Sequence, residues 1–305
     1  MNTTSDQQNL VVTTFTDPVC TWCWGSEPIF RKLETHYPGR IVIRPVMGGL
    51  VKDARNLSDP ANGIGSTDLE TFNRQVGAHW VEASERHGMP VDGPNFHLFS
   101  NAYPSTYPQN IAYEAAKLTD PQRADLFLYN VRAASAAEAR LTNREDVLLT
   151  IADESGIDVG AFIGHLEDGS AEKAFRDDLA LCQHVGASGF PTFLVRYGTS
   201  QIVLNGYRTY ETFASLASRL SNKELVETEV NATPDALLSY MDNHPRMAAE
   251  EVRQAFDLGT IEAVDELVNP LIDAGLLERQ YAGNGWFVRL PSQGGACNLT
   301  TGTCL

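Results

Sequence analysis

Cysteine is scarce in this chain, five in 305 residues, which excludes a fold held together by a disulfide framework. Cations are also in the minority: 23 Lys and Arg stand against 39 Asp and Glu, a formal net charge of -16. Nucleic-acid binding draws on clustered Lys and Arg at the phosphates, so this balance argues against a nucleic-acid partner and for good solubility. No uninterrupted apolar run is long enough to span a bilayer, so no membrane partner is expected. Residues 1–9 carry no positive charge and no apolar h-region, so no signal peptide is expected and the cytoplasm is the natural compartment. In a reducing compartment cysteines tend to be catalytic, metal-binding or buried, and their spacing decides among these.

What is present is a close pair in Asp17-Pro18-Val19-Cys20-Thr21-Trp22-Cys23-Trp24. Leu10 to Phe15 predicts a strand, and the pattern from Cys23 through Trp24, Ile29, Phe30 and Leu33 predicts one helix, so the cysteines sit at a strand-to-helix junction. A thiol at a helix N-terminus faces unpaired N–H groups and the positive end of the macrodipole, both of which favour thiolate. Cys20 is therefore expected to attack, and Cys23, one turn further in, to resolve the mixed disulfide. Half of a zinc site is the competing reading. It needs two more ligands, and no second close Cys-x-x-Cys or compact His pair exists, so no metal is expected and none of the seven histidines is nominated as catalytic.

Arg40 to Val46 predicts a second strand, parallel to the first, completing a βαβ unit; a Cys-x-x-Cys beside such a unit suggests a thioredoxin-like domain. After a loop over 51–65 the pattern turns helical, with candidates near 67–87, 108–119, 121–137, 143–155, 158–166 and 170–186. Thr142-Asn143-Arg144-Glu145 and Asp158 before Val159 carry N-terminal capping chemistry. Residues 192–195 and 201–204, joined by Tyr197-Gly198-Thr199-Ser200, predict a hairpin, and a helix near 209–220 follows. The resulting fold class is α/β: a thioredoxin fold over 1–225 with a large helical insertion at about 60–186.

From Val230 the rhythm changes to helical patterns near 233–243, 247–257 and 260–275, then two short strand patterns around Gly283-Asn284-Gly285, predicting a small winged-helix-like domain over 226–290. That part holds four Arg, no Lys and ten Asp or Glu over 231–290, so 4 − 10 = -6, the wrong sign for phosphate. A substrate-contacting or dimerising role is expected instead. Residues 291–305 form a Gly- and Cys-containing tail in which Cys297 and Cys304 could close as a disulfide, or act as a tethered redox relay to the Cys20–Cys23 pair. Cys182, alone in a helical pattern, is expected to be a small buried hydrophobe.

The second half of a dithiol site is Gly189-Phe190-Pro191-Thr192, where proline precedes a strand and cannot donate a ladder hydrogen bond. A cis Phe190–Pro191 bond is expected, leaving neighbouring backbone groups to pair with an extended substrate. Trp22, between the cysteines, is expected to offer substrate an apolar contact, whereas Trp24 packs inside. Together, Asp17 to Gly25, Gly48-Gly49-Leu50 and Gly189 to Thr192 resemble the DsbA family, specifically its cytoplasmic FrnE-like branch, over about residues 9–220. The resemblance implies a thioredoxin fold with a helical insertion, Cys20 as nucleophile, Cys23 as resolving thiol and the Pro191 loop as substrate-binding, with no cofactor.

Thr21-Trp22 departs from the strongly oxidising members in lacking a histidine between the cysteines, which leaves the redox direction open; a reductase or isomerase is expected because it suits a reducing cytosol better than an oxidant does. Its substrates are then proteins or small thiols and disulfides; the oligomeric state stays open, a homodimer among the options. The alternative function is a redox-sensitive adaptor or chaperone-like binding protein of the same fold, presenting a client to a protease or regulator.

Overall fold

The computed structural model describes residues 8–291. The tail with Cys297 and Cys304 lies outside the described residues. The chain opens with β1 (Leu10–Thr16), whose Val11-Val12-Thr13-Thr14 run suits a pleated, buried surface. Then come α1 (Thr21–Trp24), α2 (Glu27–His36) and β2 (Ile41–Met47), with β2 parallel to β1 in the register Leu10 opposite Ile41 and Thr16 opposite Met47. The single helix expected here is broken in two. Pro28 lacks an N–H and its ring would meet the carbonyl four residues back, so the chain turns at Gly25-Ser26 and restarts with Pro28 in the first turn of α2. Gly25 itself is needed there, because a Cβ on it would sit 2.5 Å from the His87 ring.

Six helices follow between β2 and β3: α3 (Leu69–His87), α4 (Tyr107–Thr119), α5 (Ala124–Ala136), α6 (Glu145–Glu154), α7 (Val159–Glu167) and α8 (Ser170–Val185). Asp158 caps α7 through the Ala161 N–H, as its sequence chemistry suggests. Asn143 does not cap α6. Its amide is drawn instead to the carbonyls of Leu98 and Tyr103, so that it pins the loop before α4, and α6 starts after Arg144 without a side-chain cap. The helices close on their own apolar core of Phe127, Ile151, Phe162 and Phe175.

The sheet is completed by β3 (Thr192–Tyr197) and β4 (Ser200–Asn205), and α9 (Tyr210–Leu220) follows. Its order is β2-β1-β3-β4, with β3 antiparallel to β1 and β4 antiparallel to β3. This is the thioredoxin arrangement expected, with the helical insertion between its halves. Leu10, Val12, Phe193 and Val195 face α2 and α9 on one side of the sheet, while Phe15 and Val46 pack with Cys182 of α8 on the other. β1 is consequently buried on both faces, and its C-terminal end delivers the chain to Cys20.

The C-terminal segment runs α10 (Pro234–Met241), β5 (Arg246–Ala248), α11 (Ala249–Ala255), α12 (Ile261–Asp273), β6 (Glu278–Ala282) and β7 (Gly285–Arg289). Its antiparallel sheet has the order β5-β7-β6. The three-residue β5 has no sequence signal of its own. It is held as a strand by pairing Arg246, Met247 and Ala248 with Arg289, Val288 and Phe287 of β7.

This segment is packed into the rest of the chain: α11 lies along α2, and Phe287 joins Trp24, Phe72 and Trp80 in one core. Phe287 is fully buried. Phe287→Ala is expected to lower the urea midpoint by the equivalent of about 3–5 kcal/mol. The same change should alter the fluorescence of Trp24 beside it. A wild-type midpoint would contradict this packing.

Candidate active site

Cys20 is the N-cap of α1 and Cys23 lies within it, both as free thiols and both buried, at 5% and 2% exposure. The Cys23 N–H donates to Cys20 Sγ at 3.4 Å. Cys20 Sγ in turn lies 3.4 Å from the Phe190 carbonyl oxygen, as thiol donor to it. The Phe190–Pro191 peptide is cis. Cys20, Cys23, Phe190 and Pro191, 170 residues apart in sequence, thus meet at the end of β1.

The electrostatics run opposite to the sequence expectation. Burial pushes the Cys20 thiol well above its ordinary range, with Cys23 and the Asp17 carboxylate adding to the rise. Burial also opposes ionisation of Cys23, but the Cys20 side chain, the Arg132 charge and the Thr16 hydroxyl outweigh it and hold Cys23 below its ordinary range. The reason is geometric. α1 is four residues long, so the helix terminus presents Cys20 with the Cys23 N–H and little more, while the Phe190 carbonyl faces it. The Arg132 charge acts on Cys23 instead. Two hydrogen-bonded sulfurs of this kind titrate as a pair.

Asp17 explains why the motif begins three residues before Cys20. Its buried carboxylate accepts from the Val19 N–H, the Leu50 N–H, the Thr106 hydroxyl and the Asn110 amide at 2.7–2.8 Å. Burial raises its pKa, and these four donors work against the rise. One side chain thereby ties the cysteine turn to Gly48-Gly49-Leu50 and to the start of α4. Gly48 leaves the room that the Phe190 ring occupies.

Trp22 stands half-buried at the rim. Its ring centroid is 6.1 Å from His79, 5.9 Å from His87 and 5.6 Å from Tyr207, and the Arg86 guanidinium lies 6.0 Å above it. Trp24 is buried, its indole N–H donating to Pro90 O at 2.9 Å. The carbonyls of the proline loop are already engaged, that of Phe190 by Cys20 and that of Pro191 by the Gly206 N–H at 2.8 Å. The expectation of free backbone groups there therefore does not extend to these two carbonyls.

Several site residues escape sequence reasoning. His87, the last residue of α3, accepts from the Met89 N–H at Nδ1 and places Nε2 3.3 Å from the Thr21 hydroxyl. Arg132 of α5 donates Nη1 to Glu27 and Nη2 to the Thr16 hydroxyl, the latter at 2.6 Å. Arg31 also holds Glu27, at 2.8 Å, and reaches Glu34 and Glu251. Tyr129 donates to Glu251 at 2.5 Å, and burial lifts that carboxyl to about 7. No periodicity or spacing announces these contacts, since each joins elements far apart in the chain; a lone buried-pattern Arg in a helix of apolar residues was the available signal for Arg132.

Cys182 is buried against Phe15 and Val46, where burial raises its thiol to about 11, the behaviour of a packing residue. Among the described residues no cluster of three or more His, Cys, Asp or Glu could hold a metal ion, and no helix is long and apolar enough to cross a membrane.

A protein-family model for thioredoxin matches residues 13–215. A ClpXP adapter protein SpxH from Halalkalibacterium halodurans is 27% identical over 282 residues, 91% of this chain and 88% of that protein. Among solved structures, a candidate protein disulfide isomerase from Nitrosomonas europaea superposes with a TM-score of 0.58 at 20% identity, covering 71% of this chain and 99% of the other. The cytosolic disulfide reductase DsbM from Pseudomonas aeruginosa gives 0.50 at 21% identity, over 70% and 93%. At these identities the structural likenesses carry the fold.

Burial depresses the pKa of His87 from 6.5 to about 4, so the folded state holds it neutral. Its contribution to stability is complete above pH 6.5 and is lost as pH falls towards 4, where the unfolded chain binds a proton that the folded chain refuses. The loss amounts to on the order of 3 kcal/mol. His87→Gln should flatten the stability profile over that interval in urea titrations at stepped pH; an unchanged slope would mean that His87 is not held neutral.

Proposed function

The chain belongs to the thioredoxin family, and on that premise we propose that it is a thiol–disulfide oxidoreductase, acting as a reductase or isomerase through a mixed disulfide at Cys20. The observation that carries this reading is the meeting of the dithiol with the cis-proline loop. Cys20 Sγ accepts from the Cys23 N–H and lies against the Phe190 carbonyl of the cis Phe190–Pro191 loop, where an extended substrate would lie. In the reducing direction Cys20 attacks a substrate disulfide and releases one thiol; Cys23 then attacks Cys20, releasing the second thiol and leaving a Cys20–Cys23 disulfide. Trp22, Phe190 and Pro191 form the substrate contact. No histidine cation stands beside Cys20, since His87 is neutral, which supports a reductant over a strong oxidant. An FrnE-like placement and a cytoplasmic location belong to the same proposal. Cys297 and Cys304, outside the described residues, are the proposed electron relay to this pair, and residues 226–290 the proposed winged-helix-like domain.

A second reading rests on a different observation. The SpxH relative matches 91% of the chain, C-terminal segment included, whereas the structure of the reductase DsbM covers 70% of it. An adaptor that uses protein contacts to bring a client to a protease would need both parts. In that role the dithiol would set client affinity by its oxidation state.

The two readings separate in one set of variants. Under the first, Cys20→Ser abolishes insulin reduction by dithiothreitol above background, and Cys23→Ser accumulates a mixed disulfide visible on non-reducing gels. Full activity in Cys20→Ser would end the oxidoreductase reading. Client capture that survives conversion of both cysteines to Ser, without turnover, would favour the adaptor.

A further inference from the structure

We propose that β4 is the surface through which two copies of this chain pair: their β4 strands join antiparallel about a two-fold axis at Val203, making one continuous sheet from the two four-stranded ones. The proposal is independent of the dithiol chemistry.

A sheet edge leaves backbone groups without ladder partners, and natural edge strands are blunted by charge, proline, a bulge or short length. β2, the other edge of the same sheet, carries Arg44 and Pro45. In the C-terminal sheet the edge strand β6 carries Glu278 and Arg279, and β5 is three residues long. β4 has none of these devices. Ser200-Gln201-Ile202-Val203-Leu204-Asn205 contains no charged residue and no proline, and it pairs with β3 in unbroken register from Ser200 to Asn205. Gln201, Val203 and Asn205 are exposed, Val203 at 41%.

The hairpin determines which backbone groups face outward. Tyr197 and Ser200 close a two-residue turn with Gly198 at φ +57, the geometry in which the closing residues form a hydrogen-bonded pair. Hydrogen-bonded and non-hydrogen-bonded pairs alternate along an antiparallel ladder. Ile202 and Leu204 therefore bond inward to Val195 and Phe193, while Gln201, Val203 and Asn205 turn their N–H and C=O groups away from β3. The far end has the same phase, since the Gly206 N–H donates to Pro191 O at 2.8 Å. Among the described residues no backbone hydrogen bond reaches the outward groups of Gln201, Val203 or Asn205.

These three residues are spaced symmetrically about Val203, and that symmetry selects the occupant. An axis normal to the sheet at Val203 sets Val203 opposite Val203, and Gln201 of one copy opposite Asn205 of the other. Each outward N–H then meets an outward C=O, and the interface is isologous. The exposed Val203 side chains cover each other, and two uncharged polar side chains, Gln201 and Asn205, come face to face. A foreign strand could satisfy the same backbone groups, but this side-chain match is a property of β4 with itself. Charge agrees with it. Two chains of net charge -16 repel, and β4 offers an edge along which no charged side chain of one strand opposes another.

The test uses the full-length chain: light scattering over a concentration series, together with amide hydrogen exchange resolved along β4. The expected result is a mass that rises from one chain to two, with exchange at Gln201, Val203 and Asn205 slowing in step, whereas Ile202 and Leu204 stay protected throughout. Val203→Lys removes the apolar contact and sets like charges opposite, and should raise the dissociation constant by about tenfold or more. Val203→Pro removes an outward N–H without touching the β3 ladder and is its companion, so that one folded variant suffices. Val203→Thr keeps the β-branched shape and should still pair. A chain that stays monomeric at every concentration overturns the proposal, as does a dimer that a folded Val203→Lys or Val203→Pro leaves as tight as the wild type. Slowed exchange at these amides only on addition of an unfolded protein would assign the edge to a client strand and overturn it as well. Neither measurement involves a thiol, so this proposal and the oxidoreductase reading fail separately.

Discussion

The buried pairing of Arg132 with Glu27, continued through Arg31 to Glu34 and Glu251, is the interaction on which the rest of the structure depends. It spans α5 of the insertion, α2 of the thioredoxin core and α11 of the C-terminal segment. Ions removed from water are tolerated only when each finds an opposite charge or a donor, so these residues determine one mutual placement of three parts of the chain. Removing one partner would leave an uncompensated buried charge, a change that typically costs more than the pair itself contributes. Arg132 also donates to Thr16 at the end of β1, which ties the strand that delivers the dithiol to this network.

The insertion does more than decorate the sheet. It supplies Arg132 on Thr16, His87 beside Thr21, His79 and Arg86 around Trp22, and Thr106 and Asn110 on Asp17. A thioredoxin core without it would leave Asp17 short of two of its four donors and leave Cys23 without its cation. The neutral state of His87 has a clear cause: both of its nitrogens are used inside the protein, and its surroundings offer no carboxylate to stabilise a charge.

The C-terminal segment is equally committed. The hairpin tip at Asn284 accepts from the Val91 N–H and donates to the Ser84 hydroxyl, while Phe287 packs near Trp24. Tyr240 donates to Glu34 and Tyr129 to Glu251 across the same junction. These contacts place the C-terminal segment against α2, α3 and α5. An adaptor and an oxidoreductase would both use such a junction, the one to join two binding surfaces and the other to brace the site.

Much of the fold was legible because periodicity is local. The apolar run of β1, the six helical patterns of the insertion, the hairpin at Gly198 and Asp158 as a cap all follow from residues a few positions apart. The break at Gly25-Ser26 was readable in principle from Pro28, whereas β5 was not, because three residues become a strand only through their partner Phe287-Val288-Arg289. Within the site, the sequence by itself determined the chemistry available: two thiols three residues apart, a proline before a strand, and an aromatic between the thiols. Tertiary structure alone decided the electrostatic setting of those thiols. That depends on Arg132, Thr16, Phe190 and Asp17 converging from distant elements at distances of a few ångströms, and electrostatic influence in a buried site follows distance in space, not separation along the chain.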